Sequence, residues 1–244
     1  MALRAGDLQR LTSVDRVLTD TKIEDLVSLR NALTILHETY SVPNVVISSI
    51  PMGPWLRDLT PPHIRSATSE REQSLLCLAS VRAADAGDDA APSRGRTLSR
   101  VYAGCIPLIP GYFSGVGDLF SALVLGHYRP DVPEHSHPPP PPHLEDGIRA
   151  SPPLPALPPL PYAVSLALTK THAILRLTEK HASSLPPEER TTTDDELDKE
   201  DPERLIRRMR GRELRLIQGR KILSGKAMGE LRLLKEWENF WRPK

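Results

Sequence analysis

The sequence predicts an α/β fold: a partial sheet flanked by helices and interrupted by long disordered insertions. Three observations carry this. A helical stripe of leucines leads directly into a short β-branched run, Val45-Val46-Ile47. Two further apolar runs of strand length follow, at 74–81 and 100–107. A glycine turn, Gly115-Val116-Gly117-Asp118, then opens onto an apolar helical pattern. A helix feeding a buried strand is half of a βαβ unit, which favours a parallel strand at Val45–Ile47.

Composition sets the bounds. A chain of 244 residues suffices for one large domain or two small ones. The net charge of +1 supplies no general field toward nucleic acid or an anionic membrane. A hydrophobic content of 39% with 25 prolines indicates a folded core broken by insertions. No apolar run approaches the ~18 residues of a membrane span, and Met1–Asp7 opens without a signal-peptide apolar region, so a cytoplasmic protein is expected. Cys77 and Cys105 lie inside apolar runs and read as reduced core residues.

Residues 1–20 share helical spacing at Leu8, Leu11, Val14 and Leu18, but nothing anchors them. Thr21-Lys22-Ile23-Glu24 fits a capping box, with Asp25 as a competing cap. Leu26, Leu29, Leu33 and Leu36 then line one helical face to about Tyr40. The strand at 45–50 brings Ser48 and Ser49 to its C-terminal end, where open α/β sheets bind ligands. Their hydroxyls suit either a phosphate contact or ordinary turn chemistry. Residues 51–73 read as loop, and 83–98 as a flexible insertion. The run 74–81 pairs with 100–107 in a hairpin-like arrangement that delivers the chain to the glycine turn.

That turn has two readings. Glycines ahead of a helix allow a tight backbone and leave the first amides facing outward, where the helix dipole adds positive charge. Such an end binds phosphate. A carboxylate there repels the anion, unless its role is to take the proton of a nucleophile attacking it. The plainer reading is a glycine turn with Asp118 near the N-cap of a buried helix.

Residues 129–161 hold the run Pro138–Pro142 and form a polyproline-like insertion. His135 and His137 fall there, but a linker does not hold ligand geometry, so no metal site is expected. Tyr162–Lys180 is helical, 183–202 is an acidic insertion, and 204–212 is a strongly basic helical face. Glu213–Gln218 alternates like a half-exposed strand, and the tail from Lys226 reads as an amphipathic helix docked through Leu231, Leu234, Trp237 and Trp241.

Taken in order, these pieces resemble the pyridoxal kinases of the ribokinase-like fold, fungal ones in particular. Val45–Ser49 is similar to the family's strand ending in a hydroxyl pair at the ATP, and Arg100–Gly104 to the strand before its nucleotide loop. Gly111–Leu125 resembles its Gly-x-Gly-Asp signature and helix, and Glu213–Gln218 its closing strand. The resemblance covers 21–244 as the C-terminal, nucleotide-binding part of a kinase domain. It implies ATP as phosphoryl donor, Mg²⁺, a vitamin B6 vitamer as acceptor and a homodimer. Asp118 would be the general base; Gly115, Val116 and Gly117 would form the anion hole; Ser48 and Ser49 would face the ATP phosphates, and Ile109 and Pro110 the nucleotide. No nucleic-acid partner follows from it.

The family carries a further half-domain before the part equivalent to Thr21, with most vitamin contacts. It also carries an Asn-x-x-Glu pattern that helps place Mg²⁺, where this chain reads Leu11–Leu18. The expectation is an intact motif with weak or missing activity and an exposed sheet edge. A non-catalytic nucleotide-binding remnant and a proline-rich interaction scaffold are the alternatives.

Overall fold

The computed structural model describes residues 22–65, 73–83, 98–111, 113–131, 157–186 and 199–242. Residues 1–20 and most of the three expected insertions lie outside these.

Helix α1 (Leu26–Thr34) starts at Asp25, not at Thr21. The Asp25 carboxylate accepts from Ser28 N–H at 2.7 Å, and Ser28 Oγ accepts from Asp25 N–H at 3.0 Å. Serine thus takes the reciprocal place usually held by Glu in a capping box. The helix continues as one π-helical turn over Ile35–Thr39, which carries the buried His37. Strand β1 (Asn44–Pro51) follows, then a short helix α2 (Pro54–Leu59) inside the segment expected to be loop. Pro54 at the first helical position, after Gly53, explains that start.

Strands β2 (Ser74–Arg82) and β3 (Ser99–Pro107) pair antiparallel along their whole length, from Ser74 opposite Pro107 to Arg82 opposite Ser99. This is the expected hairpin. The parallel expectation for β1 is overturned: β1 pairs antiparallel with β2. The sheet order is β1-β2-β3-β4, where β4 is Lys235–Glu236 from the tail.

Burial on both faces produces the continuous apolar runs, whatever the strand direction. Leu76 and Leu78 of β2 with Val101 and Ala103 of β3 face a cluster containing Leu29, Leu33, Leu56, Trp237 and Phe240. Cys77, Ala79 and Tyr102 face the opposite cluster, with Phe120, Leu160, Val164 and Leu168. The second layer is made by helices α3 (Val116–His127) and α4 (Pro159–Ser183). Both cysteines are buried and neither is in a disulfide, and burial pushes the Cys77 thiol up to about 12.

Helix α5 (Pro202–Gly211) and the four-residue α6 (Arg220–Leu223) precede the tail. Two expectations fail here. Glu213–Gln218 is not a strand: Glu213 makes one parallel bridge to Ser114, and the chain then turns, with Gly219 N–H on Arg215 C=O at 2.8 Å. The tail after Lys226 is extended instead of helical. Its amides are taken by hydroxyls of α4, Leu234 N–H by Ser165 Oγ and Arg232 N–H by Thr169 Oγ1, both at 2.9 Å. Trp237 N–H then donates to Val101 C=O at 2.7 Å. The tail's apolar residues serve an added strand, and Leu234, Trp237 and Phe240 are buried through it.

Candidate functional site

The glycine turn sits where β3 hands the chain to α3. Gly111 has φ +116° and Gly115 has φ +78°, both in the left-handed region that a side chain strains. Gly115 is the N-cap of α3 and, having no side chain, makes no side-chain cap hydrogen bond at that end. The first intrahelical bond is Leu119 N–H to Gly115 C=O at 3.0 Å, so the amides of Val116 and Gly117 open the helix ahead of it. Gly117 is buried, while Asp118, in the first turn, is exposed.

Helix α3 is fixed from both sides. Phe120, Leu123 and Val124 pack in the cluster with Leu160, Val164 and Leu168 of α4. At its far end Tyr128 Oη accepts from Asn44 Nδ2 of β1 at 3.0 Å. His127 nearby is held below its usual pKa by burial first, and then by Lys170 and Arg129.

Ser48 and Ser49 are not at the end of β1 but inside it, at a register shift between Ile47 and Ile50. Val45, Ile47 and Ile50 face the α1 side, whereas Val46 packs in the α3–α4 cluster. An extra residue at 48–49 is what returns Ile50 to the α1 side. By strand alternation Ser48 follows Asn44 and Val46 on the face toward α3. It is buried, and Ser49 Oγ donates to Ser48 Oγ at 3.4 Å.

A third element borders the turn, and the sequence reading did not assign it there. Besides the Ser114–Glu213 bridge, a methyl placed on Gly115 would stand 3.9 Å from Leu214 Cδ1. Thr178 Oγ1 of α4 accepts from Arg215 N–H at 3.1 Å and anchors this segment. The signal was present as Ser165, Thr169 and Thr178, hydroxyls on an otherwise apolar helix face, but their partners are distant in sequence.

Among the described residues no group of three or more His, Cys, Asp or Glu side chains could hold a metal ion. No described helix is long and apolar enough to cross a membrane.

No family model and no curated protein matches the chain. Solved structures do. A pyridoxal kinase from Leishmania donovani in complex with ADP and pyridoxamine aligns with TM-score 0.51 at 18% identity, over 91% of this chain and 48% of that one. The same organism's enzyme in complex with ADP gives TM-score 0.50 at 20% identity, over 91% and 49%. The fold is a partial pyridoxal kinase fold. The chain spans about half the length of the solved structures it matches.

Proposed function

We propose that this chain is the nucleotide-binding part of a pyridoxal kinase, which transfers the ATP γ-phosphoryl to the 5′-hydroxyl of pyridoxal, pyridoxine or pyridoxamine. One observation carries the reading: the N-terminus of α3, capped by a left-handed Gly115 that offers no side chain and holding an exposed Asp118 in its first turn. It stands in a fold like that of kinases solved with ADP.

Each residue then has a role. The Val116 and Gly117 amides, with the dipole of α3 behind them, hold the phosphoryl being moved. Gly117 admits no side chain between helix and ligand. Asp118 takes the proton of the vitamin hydroxyl as its oxygen attacks phosphorus, which keeps that oxygen nucleophilic without free alkoxide. Ser48 and Ser49 offer hydroxyls to the nucleotide phosphates from the sheet side. Catalysis here is mostly positioning and charge stabilisation.

The test is Asp118→Asn with ATP and pyridoxal. The expected result is pyridoxal phosphorylation lowered at least about 100-fold, the range of general acid–base catalysis. ADP affinity should stay within about two-fold, since a lost general base is not lost binding. Unchanged turnover removes the general-base role. A second reading keeps the same site, in which the chain binds nucleotide without turning it over. ADP binding by the unaltered chain, with no pyridoxal phosphate formed, selects that reading.

A further inference from the structure

We propose that Arg212 is the cation of this phosphate site: its guanidinium contacts the phosphates of the bound nucleotide and sets the preference for nucleotide over nucleoside. The proposal rests on the nucleotide-binding reading above.

The turn supplies neutral backbone donors and one carboxylate, Asp118. A polyphosphate held there meets repulsion from that carboxylate, and dipolar amides offset it only in part. A nearby cation is needed, and the structure brings one. A methyl group placed on Gly111 would stand 3.9 Å from Arg212 Nη1. Arg212 closes α5 and directly precedes Glu213, whose bridge to Ser114 ties this segment to the turn.

The side chain is partly buried, and among the described residues its guanidinium makes no hydrogen bond or ion pair. A partly desolvated guanidinium with five donors and no acceptor is a standing cost that an anion removes. Its planar fork matches two phosphate oxygens at once, which an ammonium cannot do. The surroundings reinforce it: between Arg204 and Lys226 the chain carries nine Lys and Arg against one Glu, in a molecule of net charge +1. The other buried cation in this region, Lys170, is already engaged, donating to Leu223 C=O at 2.6 Å.

The experiment is titration calorimetry with ADP and, separately, adenosine, on the full chain and on Arg212→Gln and Arg212→Lys. Removing a charge-assisted phosphate contact should weaken ADP binding about ten-fold or more in Arg212→Gln. Adenosine affinity should stay unchanged. Arg212→Lys should fall between, since it keeps the charge and loses the fork. If Arg212→Gln loses ADP and adenosine affinity in equal proportion, the residue is structural and the proposal fails. If it does not fold, Arg212→Lys decides, and ADP affinity equal to the unaltered chain's overturns the idea. Arg212→Gln binding ADP at full affinity rejects Arg212 while leaving the nucleotide site intact. No ADP binding by the unaltered chain rejects both.

Discussion

His37 is fully buried, with Nδ1 at 2.7 Å from Val42 C=O and Nε2 at 2.8 Å from Ser80 Oγ. The carbonyl fixes Nδ1 as the donor, so the neutral ring is satisfied at both nitrogens. Burial depresses its pKa most, the Val42 bond opposes this, and Arg82 adds to the depression. His172 goes further, to about 4: desolvation leads, and Arg232 and Arg176 repel the proton. Its Nε2 is buried with no hydrogen-bond partner. Both folded pKa values lie below the unfolded 6.5, so the unfolded chain takes up these protons first as pH drops. Their contribution is complete above pH 6.5 and is lost as pH falls through the depressed folded values, about 4 for His172. His172→Leu should therefore lessen the loss of unfolding free energy between neutral and mildly acidic pH. After solvent screening the difference should be about 1–2 kcal/mol. Urea denaturation at both pH values checks this; an unaltered difference between them removes His172 as a cause.

At the scale of single elements, caps and turn residues decide where things begin. Asp25 and Ser28 start α1 by mutual bonds to each other's backbone amides. Asp25→Ala should cost about 1 kcal/mol of stability, measured as a lower urea midpoint at unchanged slope. Leu29 and Leu33 would hold the helix itself in place. At α3 the logic inverts. Its N-cap is a glycine that offers no side-chain hydrogen bond, and Gly115 takes a conformation that a larger residue resists. A missing side-chain cap bond costs stability in a structural helix and is what a ligand site requires. Gly115→Ala should raise the ADP dissociation constant more than it lowers the melting temperature, since the strain falls on the loop and not on the α3–α4 packing. Binding and thermal melts on the same sample separate the two effects.

Across the whole molecule, the tail adds the strand beside β3 in the described sheet. Phe240 packs edge-on against Trp237 and Trp241, with ring centroids 5.2 and 5.1 Å apart. Arg30 Nε of α1 donates to Phe240 C=O at 2.6 Å, so the segment around Phe240 is fastened to α1. Phe240 is 2% exposed, and Phe240→Ala should destabilise the domain by about 3–5 kcal/mol. A small change in the urea midpoint would mean that the tail is peripheral. β1 lies at one edge of the described sheet.

The sequence alone determined the elements whose evidence is local. The leucine stripe of α1, the strand runs at 45–50, 74–81 and 100–107, the glycine turn with its helix, and the long α4 are all legible because propensity and periodicity act over a few neighbouring residues. Tertiary structure decided what depends on distant partners. An apolar run reports burial on two faces, not strand direction, so β1 came out antiparallel. Leu234, Trp237 and Phe240 have spacing that a helix or a strand can bury, and Ser165 and Thr169 on α4 settled it by taking the amides of an extended chain. Arg212 reads in sequence as one of several basic residues on a solvated face. Only the bridge from Glu213 to Ser114 brings it against Gly111, because that pairing joins segments about a hundred residues apart, beyond the reach of any local pattern.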